Sequence, residues 1–168
     1  MEESLKKYIN ECILSKIPTS CKNIVMMDFD ECAVSGHLSR EITEMFQKGL
    51  ENISEIEAAK SDNSRKSLYT LSSVFKGISR GSIEKVIVQC CKRIAWRKGF
   101  KALLTSSSRR NDVQFIWVSS GIYEAIAQKQ QELQCKPLII ASYFSFANDH
   151  VTGTPFVVTD KDKGQVVR

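Results

Sequence analysis

The sequence has few of the features that mark membrane, secreted or zinc-binding proteins. None of its 168 residues fall in an apolar run of about 18 residues, the minimum for a membrane-spanning helix. The start, MEESLKKYINEC, is too polar and acidic for a secretory signal. The 6 cysteines form no CxxC pair, and 2 isolated histidines are too few to suggest a zinc site. With only 3 prolines and 8 glycines, the composition predicts an ordinary globular domain, and the cysteine usage predicts a reduced, cytoplasmic setting.

Positive charge is concentrated in one segment of the chain. Residues 76–111 hold ten lysines or arginines against one acid, Glu84, whereas the whole chain has a net charge of +5. Such a segment is either a solvated helix face or the source of a field that attracts an anion. Charge alone does not distinguish a phosphorylated metabolite from nucleic acid. Nucleic-acid binding ranks lowest, because the segment lacks interleaved aromatic residues and any recognition motif.

Hydrophobic periodicity predicts alternating helices and strands. The predicted elements are a helix over 4–17, a strand over 23–27, a helix over 39–50 with Ser39 as its N-cap, a helix over 82–97, a strand over 113–118, a helix over 122–133, a strand over 137–144 and a hairpin turning near 148–153. This alternation predicts an α/β fold with a parallel sheet. Ligands of such sheets bind beyond the carboxyl ends of the strands.

Polar residues follow the first two predicted strands at that edge. Asp28 and Asp30 come directly after the strand over 23–27, and Ser119 follows the strand over 113–118. The stretch SSGI then opens a helix, whose first N–H groups and dipole favour an anion. Lys163, followed by Gly164, offers a fixed cation at the start of another helix. A carboxylate nucleophile, a neighbouring acid, a phosphate-binding hydroxyl and a lysine are together suited to phosphoryl transfer.

The order DFDEC, VSSG and KG resembles the first three motifs of haloacid dehalogenase-like (HAD-like) phosphatases, nearest to the phosphoserine phosphatase branch. The resemblance implies a three-layer, Rossmann-like α/β core with a parallel sheet and an inserted small helical cap. The core would comprise residues 1–43 and 103–168, with 1–22 as an N-terminal helix extension, and the cap would comprise residues 44–102.

The resemblance also implies roles for the charged residues. Asp28 would be the nucleophile that forms an aspartyl-phosphate, and Asp30 would protonate the leaving oxygen and then activate water. Lys163 would neutralise Asp28 and the phosphate. Mg²⁺ would be held by the Asp28 carboxylate and the Asp30 backbone carbonyl, which are the hard oxygen ligands that this ion prefers.

The phosphate and substrate contacts come from other positions. Ser119 and the backbone N–H of Ser120 or Gly121 would hold the phosphoryl oxygens. His37 stands where phosphoserine phosphatases carry a glutamate, which argues against phosphoserine as the substrate. His37 and Arg97 are candidate contacts to some other small phosphorylated metabolite.

The fourth motif of the family, an acidic GD…D after a last strand, does not occur in the sequence, whose last residue is Arg168. The main prediction is a Mg²⁺-dependent phosphatase that hydrolyses a small phosphomonoester through an aspartyl-phosphate. The alternative is a truncated, catalytically inactive phosphatase-like protein that acts as a binding or regulatory module. A homodimer is left open, and no membrane partner is expected.

Overall fold

Three parallel strands lie at the centre of the structure, a computed structural model that describes residues 3–47, 73–107 and 109–166. Their order in the sheet is β1–β2–β3, with β1 at Asn23–Met27, β2 at Val113–Ile122 and β3 at Leu138–Ser142. Met27 pairs with Trp117 at the carboxyl end of β1. The register between β2 and β3 shifts between Val118 and Ile122, so β2 is irregular at the SSG sequence.

Helices pack on both faces of this sheet. They are α1 (Glu3–Tyr8), α2 (Leu38–Gln47), α3 (Arg80–Arg93), α4 (Phe100–Ser107), α5 (Tyr123–Lys129) and α6 (Asp160–Val166). The chain after α1 continues as a π-helical turn over Ile9–Ile13 and a 3₁₀ turn over Leu14–Lys16. An antiparallel hairpin of β4 (Ser145–Ala147) and β5 (His150–Gly153) follows β3. Its turn places Asn148 and Asp149 at φ 47° and 64°, the left-handed conformation that Asn and Asp tolerate best after glycine.

Alternating side chains of β2 belong to two separate buried apolar clusters. Phe115 and Trp117 face a large cluster shared with α2, α3 and α5, whereas Ile116 and Val118 face a smaller one shared with the N-terminal helical segment. This alternation follows from the two-residue period of a strand. The structure therefore confirms the predicted three-layer α/β fold.

Several predicted boundaries differ from the observed ones. The helix predicted over 82–97 is α3, which starts earlier because the Ser79 hydroxyl caps it by accepting a hydrogen bond from Ser82 N–H at 3.3 Å. It ends at Arg93, since the next residues run beside residues 33–35 and form a bridge between Val34 and Trp96. β2 extends through the SSG sequence, so the following helix begins at Tyr123 rather than at Ile122.

The prediction that Ser39 caps α2 is wrong. The helix already begins at Leu38, so Ser39 lies in its first turn, and the Leu38 N–H donates instead to the Asp30 carboxylate.

The boundaries predicted for the cap, 44–102, stay a prediction, and residues 48–72 lie outside the described residues. Within the described part, Ile83 and Ile87 of α3 belong to the same buried cluster as Trp117 of the sheet. None of the helices described is both long and apolar enough to span a membrane.

Candidate active site

The carboxylate that directly follows β1 meets the predicted lysine. Lys163 Nζ lies 2.8 Å from Asp28 Oδ2 and 2.8 Å from Asp160 Oδ1. Burial lowers the pKa of Lys163, but the carboxylates of Asp160 and Asp28 outweigh it and raise the pKa above its ordinary value. The lysine is therefore a permanent cation beside Asp28. These two residues are 135 positions apart in the chain, and the fold brings them into contact.

A capping arrangement at the start of α6 positions this lysine. The Asp162 carboxylate accepts hydrogen bonds from the Thr159 N–H at 3.0 Å and from the Thr159 hydroxyl at 2.9 Å. In return, the Thr159 Oγ1 accepts a hydrogen bond from the Asp162 N–H at 3.2 Å. Such a reciprocal cap holds the first turn of a helix in one conformation. Lys163 is the next residue, so the cap restricts the direction from which its side chain approaches Asp28.

Asp30 lies against the start of α2. Its Oδ1 accepts a hydrogen bond from Leu38 N–H at 3.0 Å. Burial raises the pKa of Asp30 above its ordinary value, although the Leu38 N–H and nearby His37 oppose that effect. A carboxyl group that is more readily protonated than usual is suited to donating a proton to a leaving group and then accepting one.

The SSG sequence comes within contact distance of Asp30. Ser119 is almost completely buried, and its Oγ accepts a hydrogen bond from Gly121 N–H at 3.1 Å. A Cβ atom placed on Gly121 would lie 2.7 Å from Ser39 Oγ, 3.2 Å from Ser119 Oγ and 3.5 Å from Asp30 Oδ2. Only glycine fits here without a shift, because the side chains of α2, β2 and the loop after β1 converge on this backbone.

The remaining predicted residues lie at the edge of the site or outside it. Ser120 is half-buried between Ser119 and Gly121. His37 is half-exposed, with its Nε2 at 3.2 Å from Glu31 Oε1, and it lies one residue before α2. Arg97 is exposed, and its backbone N–H donates a 2.9 Å hydrogen bond to the Ala33 carbonyl in the motif loop. The roles assigned to these residues stay predictions.

Asp28 and Asp30 supply the only chain oxygens that the resemblance assigns to Mg²⁺. The described residues contain no group of three or more histidine, cysteine, aspartate or glutamate side chains that could hold a metal. Mg²⁺ sites in phosphate-handling proteins commonly use one or two carboxylates, with water and substrate phosphate filling the other positions. The Asp28 carboxylate is partly exposed and therefore accessible to a metal, and its hard oxygen donors fit Mg²⁺.

Sequence reasoning missed two residues that contact the predicted site. Ser39 faces the SSG sequence, where its Oγ accepts a hydrogen bond from Ile122 N–H at 2.9 Å. Asp160 is the second carboxylate partner of Lys163. The cap of α6 did have a signal in the sequence, since Thr159 and Asp162 have the three-residue spacing of a capping box. No local pattern indicated that Ser39 would meet β2.

The likeness of this chain to known proteins is a likeness of fold. No protein-family model matches the sequence, and neither does any curated protein. A HAD-family hydrolase from Salmonella enterica subsp. enterica serovar Typhi matches with a TM-score of 0.60 and 14% identity, over 79% of this chain and 44% of that one. A probable phosphoserine phosphatase from Vibrio cholerae matches with a TM-score of 0.62 and 13% identity, over 90% and 46%. A phospho-aspartyl intermediate analogue of phosphoserine phosphatase matches with a TM-score of 0.60 and 21% identity, over 88% and 69%.

These likenesses establish the fold. The chain has the α/β fold of HAD-like hydrolases, in the form found in phosphoserine phosphatases, as the order of its motifs predicts. It spans 44% of the Salmonella hydrolase and 46% of the Vibrio protein.

Proposed function

We propose that this chain is a Mg²⁺-dependent phosphatase that hydrolyses a small phosphomonoester through an aspartyl-phosphate on Asp28. The observation that carries the proposal is the 2.8 Å contact between Lys163 Nζ and Asp28 Oδ2 at the carboxyl end of β1. Asp30, Ser119 and Gly121 lie together at the same edge of the sheet, which favours a functional site over an isolated salt bridge. The fold is that of proteins named as phosphatases, which supports a hydrolase of this kind.

The chemistry follows from the positions of the two aspartates. Asp28 attacks phosphorus, a bond forms between its carboxylate oxygen and phosphorus, and the bond from phosphorus to the ester oxygen breaks. Asp30, whose pKa is raised by burial, gives its proton to the departing oxygen. Asp30 then takes a proton from a water molecule, which attacks the aspartyl-phosphate, releases inorganic phosphate and restores the Asp28 carboxylate.

Fixed charges and donors hold the phosphoryl group during both steps. Lys163 neutralises charge on Asp28 and on the phosphoryl oxygens, and it is already charged before substrate arrives. The Ser119 hydroxyl uses its oxygen to accept from Gly121 N–H, which leaves its hydrogen to be donated to a phosphoryl oxygen. The Asp28 carboxylate and the Asp30 carbonyl would hold Mg²⁺, which supplies Lewis-acid stabilisation of the phosphoryl charge when bound.

The nucleophile and the cation can be tested separately. Hydrolysis of an aryl phosphate in the presence of Mg²⁺ should fall below detection in Asp28→Asn and by about 10²-fold or more in Lys163→Met. Lys161→Met is the matched control, because Lys161 is an exposed lysine on the same helix, and it should keep near-normal turnover. Mass spectrometry of acid-quenched protein should show a phosphoryl group on the peptide that contains Asp28.

Unchanged turnover in Asp28→Asn would refute the aspartyl-phosphate mechanism. An equal loss in Lys161→Met and Lys163→Met would show that the lysine effect is general charge rather than the contact with Asp28. If wild-type protein has no activity toward any phosphomonoester but binds phosphate in a Lys163-dependent manner, the protein is a phosphate-binding module instead.

A further inference from the structure

A cavity lies on the side of the molecule formed by the carboxyl end of α3 and the start of α4. Its volume is ≈ 600 Å³, which is within the range of small-molecule sites. The lining includes Trp96 and the four cationic side chains Lys92, Arg97, Lys101 and Lys129, with Glu132 as the one acidic residue. Asp28, Asp30, Ser119 and Lys163 do not line this cavity, whereas Arg97, a predicted substrate contact, does.

The single carboxylate in the cavity already has three donors. Glu132 Oε1 accepts from Lys129 Nζ at 2.7 Å, and its Oε2 accepts from Trp96 Nε1 at 2.8 Å and from Lys101 Nζ at 3.2 Å. Lys129 is itself buried and also donates to the Cys91 carbonyl at 2.8 Å. Glu132 therefore offsets the charge of one lysine and leaves the cavity strongly positive.

The other two cations, Lys92 and Arg97, are exposed and form no ion pair with any residue in the described ranges. Lys101 and Ala102 line the same cavity from the first turn of α4, where a helix leaves backbone N–H groups without intrahelical partners. Guanidinium, ammonium and helix N-terminal N–H groups are the donors that bind phosphate in proteins.

We infer that this cavity is a second ligand site, separate from Asp28, that binds a small molecule carrying a multiply charged phosphate group. Lys92 and Arg97, which form no ion pair with a described residue, and Lys101, which shares Glu132, face an open space of the right size. Trp96 forms one wall, and the Nζ of Lys101 lies over its ring at 6.0 Å from the ring centre. A ligand with two or more negative charges would balance a site that the described residues leave positive.

The backbone connects this cavity to the loop that carries the aspartates. Ser35 N–H donates to the Ala95 carbonyl at 2.8 Å, and Arg97 N–H donates to the Ala33 carbonyl at 2.9 Å. The Trp96 ring also meets Phe29, the residue between the two aspartates, edge to face at 5.8 Å. The lining of the cavity is therefore in direct contact with the loop after β1.

The probe for this site is methylenebisphosphonate, a non-hydrolysable anion, in metal-free buffer of low ionic strength. The chain has 2 tryptophans, so its side-chain indole region contains two NMR signals, which a Trp96→Phe variant assigns. Saturable binding should shift the Trp96 indole signal more than that of Trp117, which is completely buried. Lys92→Ala/Arg97→Ala should weaken this binding by about tenfold or more, given the two cations lost.

Two further variants distinguish this site from its alternatives. Lys76→Ala/Lys85→Ala removes the same charge from residues that do not line the cavity and should change the affinity less than threefold. Ser119→Ala should leave the Trp96 shift intact. The inference is overturned if the control pair weakens binding as much as the cavity pair does. It is also overturned if Trp96 does not shift, or if the shift disappears in Ser119→Ala, because the probe would then bind only near Asp28.

Discussion

Replacing Gly121 with alanine should destabilise the protein, and removing the Ser39 hydroxyl should largely undo that effect. The new Cβ atom would lie 2.7 Å from Ser39 Oγ, closer than real Cβ contacts allow, so the hydroxyl must move. That hydroxyl is held by a 2.9 Å hydrogen bond from Ile122 N–H. We expect a loss of about 2 kcal/mol in the free energy of unfolding, from overpacking plus a weakened hydrogen bond.

The double variant makes this expectation quantitative. Ser39→Ala alone removes one hydrogen bond and should cost about 1 kcal/mol. If the two effects were independent, Gly121→Ala/Ser39→Ala would lose about 3 kcal/mol. Because the clash disappears with the hydroxyl, we expect a loss of only about 1.5 kcal/mol. The remaining neighbour, Ser119 Oγ at 3.2 Å, requires a shift of only a few tenths of an ångström.

Urea unfolding followed by circular dichroism measures these differences without assuming any enzymatic activity. Gly81→Ala in α3 is the matched control, because a Cβ atom there meets nothing within 4 Å. This control should be neutral or stabilising by about 0.5 kcal/mol, since alanine favours a helix over glycine. If the double variant loses the sum of the two single losses, within about 0.5 kcal/mol, the proposed contact between Ser39 and Gly121 does not exist.

Three further predictions concern the side chains of Glu124, Lys129 and Asp30. Burial raises the pKa of Glu124 from 4.5 to about 7, so the folded state holds its proton more tightly and stability should fall as pH rises from 4.5 to about 7, by on the order of 3 kcal/mol. In Glu124→Gln, the free energy of unfolding should no longer decline across this pH window. Lys129→Ala should lose about 2 kcal/mol in urea unfolding, because it removes the hydrogen bonds of a buried ammonium group to Glu132 and to the Cys91 carbonyl, whereas Lys136→Ala at an exposed site should change stability by less than about 0.5 kcal/mol. Asp30→Asn should slow the first step, release of the alcohol from an alkyl phosphate, by about 10²-fold or more, and an equal slowing of the nitrophenol burst from a nitrophenyl phosphate would contradict its role as general acid.

Local patterns in the sequence were sufficient to predict the α/β class. The apolar run before Asp28 is β1 and the one before Ser119 is the first part of β2, and both lead to the same edge of the sheet, because parallel strands share their direction. The hairpin near Asn148 was equally predictable, since Asn-Asp tolerates the left-handed turn that joins β4 and β5. These features depend on residues close together in the chain, where periodicity and turn preference carry the information.

The tertiary structure decided which of the candidate residues meet. Helical periodicity placed Ser39 at an N-cap, but the approach of Asp30 to the start of α2 took over that role and turned Ser39 toward β2. Lys163 reaches Asp28 from the first turn of α6, whose start is capped by Thr159. Arg97 lines a cavity that does not include the aspartates, since α3 ends early and the chain pairs with the loop after β1. Contacts between residues far apart in the chain depend on how whole elements pack, and no local pattern of polar and apolar residues specifies that packing.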